Sequence, residues 1–148
     1  MGVNMMHVAA QGDQAYSLTF FKELGIGVNE GDNENSTPLH WACFAGQDTA
    51  SYYLQSWQSE VNAQDKSGNT PLHVAVRSAK EFPNTRAIKE LLIRGASRTI
   101  EDIHGRKPID IVDEIQDDEQ LQNDLRLILD KQGALFCCHK RTPLQKVE

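Results

Sequence analysis

A short phrase returns three times in the same register along this chain. It reads Met5-Met6-His7-Val8-Ala9, then Pro38-Leu39-His40-Trp41-Ala42, then Pro71-Leu72-His73-Val74-Ala75, and it sets His7, His40 and His73 at intervals of 33 residues. A unit of that length is too small to bury an apolar face alone, so copies must stack, each touching only its neighbours. The phrase has a local logic. Thr37 and Thr70 suit helix N-caps, where a hydroxyl accepts an otherwise orphaned amide. Pro38 and Pro71 follow at the first helical position, where a missing amide costs nothing. Leu39 and Ala42 fall three apart on one helical face. A degenerate fourth unit, Gly105-Arg106-Lys107-Pro108-Ile109-Asp110-Ile111, aligns with Gly68-Asn69-Thr70-Pro71-Leu72-His73-Val74. Asp110 lies 37 residues beyond His73. The four extra residues fit best in 80–85, where Pro83 and Asn84 mark a lengthened turn.

Second helices are expected at 16–24, 48–57, 85–93 and 119–129. Ile88, Leu91 and Leu92 form a one-sided apolar stripe at helical spacing, and Leu121, Leu125, Ile128 and Leu129 form another. The connectors end in turns, with Asp65 to Gly68 and Asp102 to Gly105 supplying the turn chemistry. Asn35 stands where the first turn lacks a glycine, and asparagine tolerates the left-handed region.

The Thr-Pro-Leu-His-x-Ala phrase at this period resembles the ankyrin repeat. The resemblance implies an all-α solenoid of helix-turn-helix units with short β-hairpin fingers. Repeats would occupy 1–29, 30–62, 63–99 and 100–132, leaving 133–148 as a non-repeat segment. It further implies a protein-interaction module that binds through a concave groove and finger tips. The matching groove positions are Val8, Trp41, Phe44, Val74, Arg77 and Ile111. The matching finger positions are Glu30, Asn33, Glu34, Gln64, Lys66, Ile100, Ile103 and His104. Trp41 and Phe44 read either as an aromatic anchor for a partner or as packing between inner helices. Val61-Asn62, with Leu54 and Glu60 upstream, resembles sites of asparagine hydroxylation in ankyrin proteins; the alternative role for Asn62 is a bond to turn backbone. Two departures stand out. The interval from His7 to Gly12 is one residue shorter than that from His40 to Gly46, and Gln58 replaces the glycine that ends a second helix.

The repeated histidine lacks acid or nucleophile partners and reads as a hydrogen-bonded tie between successive turns. No G-x-S-x-G, Walker loop, H-E-x-x-H or paired C-x-x-C occurs, so no catalytic activity is expected of this segment. Cys137-Cys138-His139 holds good metal ligands, but adjacent ones close a tetrahedral site poorly, and no metal or other cofactor is expected. A net charge of −6 argues against a general nucleic-acid binder. No apolar run reaches the roughly 18 residues of a membrane span. The odd set Cys43, Cys137 and Cys138 gives no disulfide framework and points to a reducing compartment, the cytoplasm or the cytosolic face of a membrane.

The chain reads as a piece of a longer protein, because repeat one has no finger ahead of it and the last residues lose the repeat. Cys137 and Cys138 beside Lys140 and Arg141 look like a juxtamembrane end open to acylation. That layout resembles ankyrin-repeat palmitoyltransferases. Two functions are therefore in view: an adaptor that binds a protein partner, or the cytosolic region of a larger membrane enzyme or channel. Any membrane contact would come through a longer parent chain.

Overall fold

The computed structural model describes residues 2–83, 85–115 and 118–130. Eight helices follow one another in these residues: α1 Met5–Gln11, α2 Ala15–Glu23, α3 Pro38–Phe44, α4 Asp48–Ser56, α5 Pro71–Ser78, α6 Arg86–Ile93, α7 Pro108–Val112 and α8 Glu119–Leu129. They pair as α1/α2, α3/α4, α5/α6 and α7/α8. The inner row runs α1, α3, α5, α7, each packed on the next, while α2, α4 and α6 form the outer row. The fold is the all-α stack that the 33-residue period requires, and the second helices lie within one residue of the expected ranges.

The helix starts follow from the phrase. Thr37 and Thr70 hold extended N-cap geometry, with Pro38 and Pro71 in the first turn. Asn4 caps α1 instead, its side chain accepting the amides of Met6 and His7. At α7 Lys107 stands in the cap position, and Asp110 replaces the histidine by accepting the Lys107 amide at 2.7 Å. Gln58 ends α4 with φ 61°, so the left-handed turn persists without glycine. Asp13 likewise takes φ 54° in the shortened repeat one. Its carboxylate accepts the Ala50 amide at 2.7 Å, stapling α4 to the repeat before it.

One continuous core runs through the stack. Met6, Leu18, Leu39, Leu54, Leu72, Ile88, Leu91, Val112 and Leu125 are fully buried. Each such side chain contributes roughly 1.5–3 kcal/mol relative to exposure. The apolar stripes of α6 and α8 face this core: Ile88, Leu91, Leu121, Leu125 and Leu129 are buried, and Leu92 and Ile128 pack against it. Cys43 belongs to the same core, and burial pushes its thiol up to about 12, so it fills space as a neutral group. In repeat three the lengthened turn returns Phe82 onto Gly46, where a Cβ would meet the Phe82 side chain at 2.9 Å.

Candidate protein-binding groove and fingers

Three histidines set the spacing of the stack. The Nδ1 of His40 faces the Thr37 amide at 3.1 Å and the Thr37 hydroxyl at 2.9 Å, while its Nε2 lies 3.0 Å from the carbonyl of Asn69 in the next repeat. His73 repeats this with the Thr70 amide at 3.1 Å and the Arg106 carbonyl at 3.1 Å. His7 does so with the Asn4 amide and the Ser36 carbonyl. An amide can only donate, so at His40 and His73 Nδ1 accepts and Nε2 carries the proton, whereas the Nδ1 of His7 also lies 2.7 Å from the acceptor Oδ1 of Asn4. Each ring is a brace between a helix cap and the following finger, and those of His40 and His73 are neutral. Burial lowers the pKa of His40 and of His73, against the opposing pull of the carbonyls each one bonds.

The fingers share one turn. In the first, Asp32 and Ser36 pair by backbone at 3.0 Å, Asn35 donates to the Asp32 carbonyl at 2.9 Å, and Asp32 Oδ1 accepts the Glu34 and Ser36 amides. Asp65 with Asn69 and Asp102 with Arg106 reproduce the pattern. The fourth turn residue takes positive φ in all three, as Asn35, Gly68 and Gly105. Successive fingers join through Lys66 N–H to the Glu34 carbonyl (2.9 Å) and Ile103 N–H to the Ser67 carbonyl (3.1 Å). The hairpins are turns with one cross-bond, too short for a strand, and no strand occurs among the described residues.

Burial acts to raise the Asp32 pKa, but the Ser36 and Glu34 amides and the Trp41 indole outweigh it and hold the carboxyl below its ordinary range. Asp102 is driven further down, to about 2, because the amides and the guanidinium of Arg106 overcome its burial. Arg106 Nη2 lies 2.8 Å from Asp102 Oδ2, and its Nη1 donates to Glu114.

Between the inner helices and the finger bases lies a cavity of about 500 Å³ lined by Trp41, Phe44 and Val74 with Asp32, Glu34, Asp65, Arg77 and Glu81. Trp41 packs within the stack and also lines the cavity: its ring stands edge-on to His7 at 5.7 Å and its Nε1 donates to Asp32 at 3.0 Å. Phe44 is 64% exposed. Arg77 points to Asn69 Oδ1 at 3.4 Å, and Val8, half exposed, lies outside the cavity lining. Ile111 departs from the expected groove set. At 1% exposure it is sealed in the core, because α7 buries Pro108, Ile111 and Val112 on the side packed against α5 and α8 while Ile109 stays exposed.

Among the finger residues, Asn33, Glu34, Gln64, Lys66, Ile103 and His104 are exposed and Ile100 is half-buried. Lys66 Nζ sits 3.9 Å from Glu34. Gln64 reaches the backbone of Gly68 and of Glu101 in the next finger. Glu30 is tethered to Asn4 Nδ2 at 2.9 Å and to the Gly27 amide. Asn62 is bound at both ends of its amide, accepting from Ser97 N–H at 2.7 Å and donating to the Gly95 carbonyl at 3.3 Å. Cys137 and Cys138 lie outside the described residues. Sequence reasoning passed over Asp32 and Glu81, which share the cavity with the aromatics; the recurring aspartate at the head of each turn was the available signal for the first.

A stack of helix pairs with histidine braces and aspartate-headed fingers defines a repeat-type binding scaffold. The family model described as ankyrin repeats (3 copies) matches residues 5–102, and the chain belongs to the ankyrin-repeat family. It is similar to a zebrafish protein named putative palmitoyltransferase ZDHHC13, 28% identical over 72% of this chain and 16% of the relative. It is also similar to the human transient receptor potential cation channel subfamily A member 1, 27% identical over 91% of this chain and 12% of the relative. The Caenorhabditis elegans homolog of that channel is 25% identical over 72% of this chain and 8% of its own length. The chain thus spans less than a fifth of these curated relatives.

Proposed function

We propose that this chain is a protein-interaction module that holds a partner in the cavity between its inner helices and fingers, with Phe44 and Trp41 as the central contacts and Glu34, Lys66, Ile103 and His104 at the rim. Ankyrin repeats generally bind proteins, and such domains are typically non-catalytic. The observation that carries the reading here is Phe44, a large apolar side chain 64% exposed beside a half-buried indole, on a backbone fixed by the histidine braces. Clustered aromatics in a pocket are where interfaces concentrate their energy. Among the described residues no three His, Cys, Asp or Glu side chains converge as a metal site. The test is affinity for the native partner: Phe44→Ala combined with Trp41→Ala is expected to weaken binding by more than about 2 kcal/mol. Phe44→Ala alone separates binding from folding, since its side chain faces solvent. Unchanged affinity in both variants refutes the assignment.

The similarity to a putative palmitoyltransferase and to a channel subunit favours a second reading, in which the module is the cytosolic regulatory or substrate-recruiting region of a larger membrane protein. No helix among the described residues is long and apolar enough to cross a membrane. Cytoplasmic placement, or placement on the cytosolic face of a membrane, follows from either reading. The sequence of the full transcript decides between them: an apolar run of about 20 residues outside this chain supports the second.

A further inference from the structure

We infer that the partner segment seated in this groove is cationic, an extended stretch that places arginine or lysine side chains between the two aromatics and the carboxylates of the first two fingers. This rests on the groove reading above and names the partner's chemistry. Among the described residues four carboxylates line the cavity, Asp32, Glu34, Asp65 and Glu81, against one cation, Arg77. His40, also in the lining, accepts the Thr37 amide at Nδ1, and burial lowers its pKa. Glu81 is exposed, and the exposed Glu34 carboxylate lies 3.9 Å from Lys66 Nζ. The floor beside them is apolar: Trp41, Phe44 and Val74.

The third finger shows what such a carboxylate takes when a guanidinium is within reach. Arg106 spans Asp102 and Glu114, with Nε at 2.9 Å and Nη2 at 2.8 Å from Asp102 Oδ2. The residues in register with Arg106 are Asn69 and Ser36, so neither Asp65 nor Asp32 receives an internal cation from that position. Asp32 is nonetheless held ionised by the Glu34 and Ser36 amides and the Trp41 indole. The chain therefore supplies its third finger with a cation from that position and leaves Asp32 and Asp65, which line the same cavity as Trp41 and Phe44, without one. Guanidinium and ammonium groups bind that combination by ion pairing and by contact with the rings. The chain already uses the second contact elsewhere, with Lys22 Nζ 4.7 Å from the Trp57 ring centre.

The experiment titrates the whole chain with three fluorescein-labelled extended nonapeptides of one design, alternating leucine with arginine, glutamine or glutamate. Binding of the arginine peptide is expected, weakening as salt rises, with the other two at least about 10-fold weaker. Glu34→Gln with Glu81→Gln is expected to cost the arginine peptide about 10-fold or more with thermal stability unchanged, since both side chains are exposed. Glu119→Gln with Asp124→Asn, which removes the same charge from α8, is expected to leave affinity unchanged. Equal loss in the two double variants reduces the effect to net charge and overturns the inference. Equal or tighter binding of the glutamine or glutamate peptide also overturns it. If that binding is abolished by Phe44→Ala, the groove reading stands and only the partner's charge was wrong. If Phe44→Ala alters binding of none of the peptides, the groove reading falls with it.

Discussion

Acidification should loosen the stack through His40 and His73, and the geometry sets both sign and size. Each Nδ1 accepts an N-cap amide at 3.1 Å, so a proton added there would point at another donor. The native state therefore favours the neutral ring, and burial lowers both pKa values below the ordinary 6.5. Below pH 6.5 the unfolded chain binds protons at these two positions that the native chain refuses, so stability falls as pH falls. Above 6.5 the contribution is fully present; it is lost progressively on the way down to the native pKa values. Between pH 7.5 and 5.5 one such histidine costs at most about 1.4 kcal/mol, so the pair costs at most about 2.7 kcal/mol. The carboxyls Asp32 and Asp102 titrate below this window and do not contribute to it. Urea unfolding followed by circular dichroism at half-unit pH steps provides the measurement. The reference is a double variant, His40→Gln with His73→Gln, in which a side-chain oxygen still accepts the cap amide but no longer titrates. Because other groups are common to both proteins, the difference in slope isolates the two rings. A double variant that keeps the full wild-type slope, or a wild type that gains stability relative to it on acidification, refutes the tautomer argument.

Three other outcomes are expected. Gly68→Ala should destabilise by about 2 kcal/mol or more, because φ is +73° and a Cβ would sit 2.9 Å from the Ile103 amide nitrogen of the next finger; the urea midpoint reports it. Gln58→Gly should stabilise by about 0.5–1 kcal/mol, since a non-glycine residue at φ 61° carries strain that glycine relieves, and the melting temperature should rise by a few degrees. Ser59→Ala should be neutral or stabilising by up to about 1 kcal/mol, because its buried Oγ has no hydrogen-bond partner among the described residues; a clear loss of stability by urea titration would refute this.

The sequence determined the period, and with it the architecture. Thr37-Pro38 and Thr70-Pro71 specify helix starts through bonds made within three residues, and the stripe Leu121, Leu125, Leu129 specifies which side of α8 is buried. Asn35 was readable as a glycine substitute for the same reason, because left-handed tolerance belongs to the residue itself. The members of the binding surface were less legible. Val8, Trp41, Val74 and Ile111 share one register, yet Val8 is half exposed, Trp41 lines the cavity and Ile111 is sealed. Their fates depend on neighbours one repeat away, whose side-chain lengths differ from copy to copy. The same holds for Asp13 capping a helix 37 residues on, whereas the Trp41–Asp32 and Arg106–Asp102 bonds lie within one repeat and differ from copy to copy. Short-range bonds repeat with the sequence and can be read from it. Contacts between repeats join residues far apart in the chain, 29 positions for His40 and Asn69 and 37 for Asp13 and Ala50, and only the stacked structure brings them within reach.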